Sequence, residues 1–196
     1  MFISVSLCYL CATIRLVWAP KRKNINMKDK LIVNGKALHP DMQAMLDARK
    51  NAGPAETIAE QRKAWTAYSE ALSRPHPDDM KVEDRELPLS HGNVTVRIYT
   101  PATAGENAAC VIYSHGGGFM KGDLDSSDTF AWGVAQDTNS AVVSVDYRLA
   151  PEYPFPAAFN DIYETLCYVA GNPAAFGIDP NRIAVCGDSA GGNLSA

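Results

Sequence analysis

Three nearly continuous apolar runs most strongly limit how this chain can fold. They read AACVIYSH at 108–115, AVVSV at 141–145 and IAVC at 183–186, and none alternates between apolar and polar residues. Strands that are buried on both faces have this pattern. Two segments with helical periodicity, 127–139 and 155–172, separate the runs. The sequence therefore predicts an α/β protein with a mostly parallel sheet and helices on both faces.

A hairpin and two helices are predicted ahead of the first buried strand. The segments 82–89 and 94–100 flank SHGN, a turn-forming tetrapeptide, which favours an antiparallel pair. Residues 39–73 have helical periodicity, and Gly53-Pro54 divides them into two helices. The chain thus places helices first, then a hairpin, then the alternating strands and helices.

The second of these helices carries a start signature and an apolar stripe. Thr57 and Glu60 fit a capping box at its first turn. The stripe predicts packing against the core, and a place at the entrance of a pocket is the alternative. Its members are Ile58, Trp65, Tyr68 and Leu72.

The first 26 residues differ in character from the rest of the chain. An apolar stretch is followed by KRKNINMKDK, so that residues 1–30 hold six basic residues and one acidic residue. A signal peptide has its positive charge before the apolar run, and the uncharged run 1–14 is too short to cross a bilayer. A weak membrane-surface anchor, a poor signal sequence and translated sequence upstream of a start at Met27 remain as interpretations. We favour the third, treat 1–26 as a non-native or disordered extension, and expect a cytoplasmic protein without stable membrane insertion.

Composition narrows the function classes. The 196 residues carry a formal net charge of −4 and contain 46% hydrophobic residues, enough for one substantial core. No basic stripe is present, which argues against nucleic acid as a partner. The sequence predicts neither a metal site nor an organic cofactor.

The pentapeptide GDSAG at 187–191 follows the third buried strand directly. It satisfies G-x-S-x-G between a strand and the start of a helix, which is the setting of a nucleophile elbow. A turn this tight needs glycines and holds its serine in a strained backbone conformation. We predict that Ser189 is a nucleophile. The alternative is a glycine-rich turn with an incidental serine.

The segment YSHGGGFMKGD at 113–123 follows the first buried strand. Its consecutive glycines, Gly116, Gly117 and Gly118, leave backbone N–H groups unscreened by side chains. Such donors can stabilise an oxyanion that forms on an attacked carbonyl, and the N–H of Ala190 would complete the set. A phosphate-binding loop fits less well, because neither a Walker lysine nor G-x-G-x-x-G is present.

These motifs, with DYRLAPEYPFPAAFND between them, closely resemble the hormone-sensitive-lipase-like (GDXG) group of α/β-hydrolases, which includes bacterial acetyl esterases. The resemblance covers roughly residues 40–196. It implies a carboxylic ester hydrolase that forms an acyl-enzyme on Ser189 and takes a small-molecule ester, with short acyl chains expected. It also implies a helical cap segment at 27–80 and the N-terminal part of the catalytic domain at 81–196.

The resemblance also implies roles for the residues around the serine. It implies an oxyanion hole formed by Gly117, Gly118 and Ala190, with Gly116 shaping the loop. His115 resembles a residue that organises the loop and is not expected to be the general base. Asp188 is a signature position with a structural supporting role and is not expected to be the triad acid.

Arg148 and Glu152 flank the proline-containing turn in YRLAPE. We expect them to brace it by ion pairing rather than to touch substrate. Asp161 on the following helix is a candidate partner.

Chain order bears on the rest of the mechanism. In this fold the nucleophile is followed by the acid and then by the histidine, whereas His39, His76, His91 and His115 all precede Ser189. We therefore expect the acid and the histidine beyond residue 196, and a 196-residue chain that is inactive on its own. A non-catalytic ligand-binding protein on the same fold and an inactive truncated product are the alternatives.

Overall fold

The computed structural model describes residues 32–33, 36–53 and 55–196. The predicted extension at 1–26 and the proposed start at Met27 lie outside the described residues. The helices are α1 (Pro40–Asn51), α2 (Ile58–Glu70), α3 (Asp128–Thr138), α4 (Ala157–Gly171), α5 (Pro173–Phe176) and α6 (Ala190–Ser195). The strands are β1 (Ile32–Val33), β2 (Lys36–Ala37), β3 (Met80–Leu89), β4 (Gly92–Pro101), β5 (Ala108–Ser114), β6 (Ala141–Val145) and β7 (Ile178–Gly187).

Five of the strands form the central sheet, in the order β3-β4-β6-β5-β7. Strand β5 pairs in parallel with both β6 and β7, as the unbroken apolar runs predict. The predicted hairpin β3–β4 joins the sheet through an antiparallel pairing of β4 with β6. The α/β prediction is confirmed, but the described sheet is mixed rather than mostly parallel, because the hairpin contributes its strands in antiparallel orientation.

Helices cover the sheet on both faces, as predicted. One core contains Ile112, Val143 and Val145 of the sheet with Ile162 and Val169 of α4. The other core contains aromatic and small residues of the sheet and α3, namely Tyr99, Tyr113, Val142, Ala131 and Trp132. Because β5 and β6 contribute to both cores, they carry apolar residues at successive positions.

The parallel register places two loops side by side. Ser114 at the end of β5 is the partner of Gly187 at the end of β7. The chain leaves β5 into the glycine loop and leaves β7 into GDSAG. Carboxyl ends of parallel strands are where ligand sites form in this class of sheet. The two motifs therefore meet at one edge.

Helix α2 begins as its sequence predicts, but its apolar stripe is not buried in the core. The hydroxyl of Thr57 accepts from the N–H of Glu60 at 3.2 Å, and a carboxylate oxygen of Glu60 accepts from the N–H of Thr57 at 2.9 Å. The predicted capping box is therefore confirmed. No residue of α2 is fully buried, so its stripe does not enter the core. Among the described residues no helix is long and apolar enough to cross a membrane.

Candidate active site

Ser189 occupies a strained turn between β7 and α6. Its backbone has φ 51° and ψ −114°, a conformation that residues other than glycine seldom adopt. Such strain persists only where the surroundings enforce it, and it concentrates at functional sites. The side chain is exposed. The turn thus presents a hydroxyl outward at the edge of the sheet.

Glycine makes this turn possible at Gly191. A Cβ atom at that position would lie 1.8 Å from the carbonyl oxygen of Ser114. The carbonyl oxygen belongs to the backbone, and the backbone of residue 191 fixes the position of its Cβ, so no side-chain rotation relieves the overlap. The first turn of α6 therefore packs directly on the end of β5, which fixes the serine relative to the glycine loop.

The glycine loop contains backbone N–H groups without an acceptor in the described residues. Gly117 has φ 127° and Gly118 has φ 64°, both conformations that favour glycine. Within the described part of the chain, the N–H groups of Gly117, Gly118 and Ala190 have no hydrogen-bond acceptor. Ala190 is the first residue of α6, where a helix leaves its N–H groups unpaired. These are the three N–H groups that the sequence assigns to an oxyanion.

Asp188 connects the nucleophile turn to the glycine loop. Its Oδ1 accepts from the backbone N–H of Gly116 at 2.8 Å and from the hydroxyl of Tyr113 at 2.7 Å. Burial and the nearby carboxylate raise the pKa of the Tyr113 hydroxyl, which therefore stays a neutral donor. The carboxylate of Asp188 is thus committed to holding the loop.

His115 is packed inside the loop rather than aimed at the serine. Its ring stacks on Tyr147 with centroids 4.1 Å apart, and Nδ1 lies 2.8 Å from the carbonyl oxygen of Gly116. The side chain is 1% exposed, and burial lowers its pKa. Tyr147 in turn donates to the carbonyl oxygen of His115 at 2.7 Å. These contacts organise the start of the loop.

The remaining histidines are bound elsewhere. His39 caps α1 by accepting from the N–H of Asp41 at 3.3 Å. Nε2 of His76 lies 2.7 Å from Asp128. His91 contacts Asp161 in the same way, also at 2.7 Å. In residues 32–33, 36–53 and 55–196, no histidine is hydrogen-bonded to Ser189.

Arg148 and Glu152 pair with different elements and not with each other. Arg148 binds the fully buried carboxylate of Asp161 on α4, with Nη2 to Oδ1 at 2.7 Å. Glu152 instead accepts a hydrogen bond from Arg62 of α2, with Nη2 2.6 Å from Oε2. Sequence reasoning missed Arg62, since nothing in the motif indicates a partner 90 positions earlier.

A cavity of about 190 Å³ opens beside the two motifs. Trp65 and Tyr68 of α2 line it together with Phe130 of α3, and Gly116 and Asp188 are also among its lining residues. Two residues of the apolar stripe, Trp65 and Tyr68, therefore take the alternative predicted place, at a pocket. No cluster of three or more potential metal ligands occurs in the described residues.

Comparison with known proteins agrees with this geometry. The profile of the α/β-hydrolase fold family matches residues 111–196. A solved structure of an esterase from Pyrobaculum calidifontis superposes with a TM-score of 0.71 and 36% sequence identity, and the match covers 81% of this chain and 51% of that one. The chain has the α/β-hydrolase fold. The matched residues contain nearly all of β5, all of β6 and β7, and the turns that follow β5 and β7.

Two curated relatives of this chain are named as ester hydrolases. The carboxylesterase NlhH of Mycobacterium tuberculosis is 45% identical over 119 residues, which are 60% of this chain and 37% of the relative. The ethyl acetate hydrolase of Pseudomonas putida is 37% identical over 173 residues, which are 81% of this chain and 54% of the relative. The resemblance drawn from the motifs is confirmed, and the chain spans roughly half or less of the length of these relatives.

Proposed function

We propose that this chain carries the nucleophile and the oxyanion hole of a serine carboxylesterase. One observation carries the proposal: Ser189 sits in a strained strand-to-helix turn beside three backbone N–H groups that have no acceptor in the described residues. Backbone donors that are already in place stabilise charge that develops on a substrate oxygen. Relatives named as ester hydrolases support the same reaction class.

The reaction follows from these positions. The hydroxyl oxygen of Ser189 attacks the ester carbonyl, and its proton passes to a histidine base. The carbonyl oxygen becomes an oxyanion that accepts from the N–H groups of Gly117, Gly118 and Ala190. Its collapse expels the alcohol, which takes the proton from the histidine, and leaves an acyl-enzyme. A water molecule, deprotonated by the same histidine, then releases the acid and restores the serine.

The base and its acidic partner come from other parts of the whole protein in this proposal. His76 and His91 are engaged by carboxylates, His39 caps α1, and His115 is buried against Tyr147. Each is thus occupied away from Ser189. A histidine held by an acid, both C-terminal to the serine as the fold orders them, completes the proposed triad.

Short acyl esters are the proposed substrates. The cavity of about 190 Å³ beside the two motifs has room for a small group, and the rings of Trp65, Tyr68 and Phe130 form part of its wall. The relative named ethyl acetate hydrolase supports the same substrate class.

Steady-state hydrolysis by the full-length protein tests the proposal. We expect p-nitrophenyl acetate to be cleaved with a higher kcat/KM than p-nitrophenyl octanoate. Ser189→Ala is expected to lower kcat by about 1,000-fold or more, since loss of a nucleophile removes the acyl-enzyme route. Ser195→Ala, at the end of the helix that follows Ser189, is the control and is expected to retain activity. Hydrolysis that is unchanged in Ser189→Ala would contradict the proposal.

A further inference from the structure

Helix α2 contacts the glycine loop through Arg62. Its Nε donates to the carbonyl oxygen of Met120 at 2.8 Å. Met120 lies two residues after Gly118, and the N–H of Met120 turns back to the carbonyl oxygen of Gly117 at 3.3 Å. Arg62 therefore binds the outer side of the turn that presents the proposed oxyanion donors.

The same guanidinium reaches a second segment. Nη2 of Arg62 donates to the carbonyl oxygen of Ala150 at 3.0 Å. Glu152 receives two hydrogen bonds, from Nη1 at 3.0 Å and from Nη2 at 2.6 Å. This arrangement uses the planar, forked geometry of arginine, which a lysine ammonium does not reproduce.

The two segments are also joined to each other. The N–H of Ala150 donates to the carbonyl oxygen of Phe119 at 2.9 Å. Phe119 has φ 63°, a left-handed conformation that is costly for a bulky residue and needs support from its surroundings. Arg62 and Ala150 hold the successive carbonyl groups of Met120 and Phe119. The loop conformation is therefore fixed from outside the site.

Two neighbours of Arg62 on α2 reinforce the contact. The hydroxyl of Thr66 donates to Oδ2 of Asp123 at 2.7 Å, and the ammonium of Lys121 lies 5.3 Å from the centre of the Trp65 ring. Both partners belong to the same loop. One helix thus binds several points of the loop and also lines the cavity next to it.

We propose that Arg62 is a positioning residue, whose guanidinium couples the position of α2 to the placement of the Gly117 and Gly118 N–H groups. The inference rests on the proposed function. An oxyanion exists only after the nucleophile has attacked, so a displaced donor weakens the transition state more than substrate binding. Removal of Arg62 therefore lowers kcat and leaves KM nearly unchanged.

The test compares variants of the full-length protein with p-nitrophenyl acetate. Arg62→Met is expected to lower kcat by about 10- to 100-fold, less than the loss of a whole donor, with KM within about threefold of the wild type. Arg62→Lys keeps the charge but not the forked geometry, and its kcat is expected to lie between those of the wild type and Arg62→Met. Lys63→Met removes the same charge from an exposed neighbour on α2 and is the control.

Hydrogen exchange separates this inference from the proposed function. The N–H groups of Met120 and Lys121 donate to Gly117, and in Arg62→Met they are expected to exchange about tenfold faster, with no change in Lys63→Met. If the wild-type protein hydrolyses no ester, the proposed function is refuted. Hydrogen exchange at Met120 and Lys121 still tests whether Arg62 couples α2 to the glycine loop. Unchanged exchange, or a lower thermal unfolding temperature with unchanged kcat, would overturn the role of Arg62.

Discussion

The Oδ1 atom of Asp188 lies 2.8 Å from the backbone nitrogen of Gly116, across 72 positions of sequence. This hydrogen bond joins the nucleophile turn to the glycine loop, so the serine and the proposed oxyanion donors are held in one frame. Asp188, the neighbour of the nucleophile, thus binds the glycine loop, a partner that its place in the motif does not identify.

Replacement of Asp188 tests this frame. Asp188→Ala leaves the Gly116 N–H and the Tyr113 hydroxyl without their acceptor, and hydrogen bonds to a charged group contribute about 1.5–3 kcal/mol. We expect the free energy of unfolding to fall by about that amount in urea titrations of the full-length protein. Asp188→Asn keeps an acceptor oxygen and is expected to lose less. Equal losses in the two variants would argue against the hydrogen bonds as the cause.

Close backbone packing at Gly191 gives a second prediction. Gly191→Ala places a methyl group against the carbonyl oxygen of Ser114, where a Cβ would be 1.8 Å away. We expect about 1–3 kcal/mol of lost stability, measured by urea titration. Gly133→Ala on α3 is the matched control, because nothing lies within 4 Å of its Cβ position. Alanine there is expected to stabilise the helix by about 0.5–1 kcal/mol, and a similar gain at Gly191 would refute the packing.

The ion pair of Arg148 with Asp161 gives a third prediction. Asp161 is fully buried, so Arg148→Met leaves a carboxylate with less compensation for its lost hydration. We expect a loss of about 1.5–3 kcal/mol in the free energy of unfolding, because Asp161 keeps the backbone N–H of Arg148 and its contact with His91. Arg182→Met is the control, since Arg182 pairs with Asp179 at the surface and such pairs contribute about 0–1 kcal/mol. Similar small losses in both variants would show that the Arg148 pair does not stabilise the fold.

His115 gives a prediction about pH. Burial lowers its pKa, so the native protein keeps the ring neutral where the unfolded chain protonates it, below about pH 6.5. The stability that follows from this difference is present above that pH and is lost as the pH falls. His115→Gln cannot protonate, so its stability is expected to change less between pH 7 and pH 5. Urea titrations of both proteins at the two pH values measure this change in the free energy of unfolding. An equal change in the wild type and in His115→Gln would contradict the prediction.

Local patterns accounted for much of the fold. The unbroken apolar runs placed β5, β6 and β7, since side chains on both faces of a covered strand avoid water. Thr57 and Glu60 placed the start of α2, because a capping box depends on residues only three positions apart. The strained turn at Ser189 followed from its spacing to the flanking glycines.

Contacts between distant segments were beyond local patterns. The sequence offered Asp161, 13 positions from Arg148, as a candidate partner, and the two residues do pair. The partner of Glu152, by contrast, depends on how α2 packs. Arg62 belongs to no recognised motif, and its role depends on where α2 packs. The place of β6 between β4 and β5 likewise depends on the whole sheet rather than on any strand's own residues.

Covalent labelling of the full-length protein tests the central proposal most directly. A fluorophosphonate reacts with a serine that is activated by a base and supported by an oxyanion hole, since its phosphoryl oxygen occupies the position of the oxyanion. Peptide mass spectrometry is expected to locate the adduct on Ser189, and Ser189→Ala is expected to remain unlabelled. A folded full-length protein that stays unlabelled at Ser189 would contradict the account and favour a binding protein on the same fold.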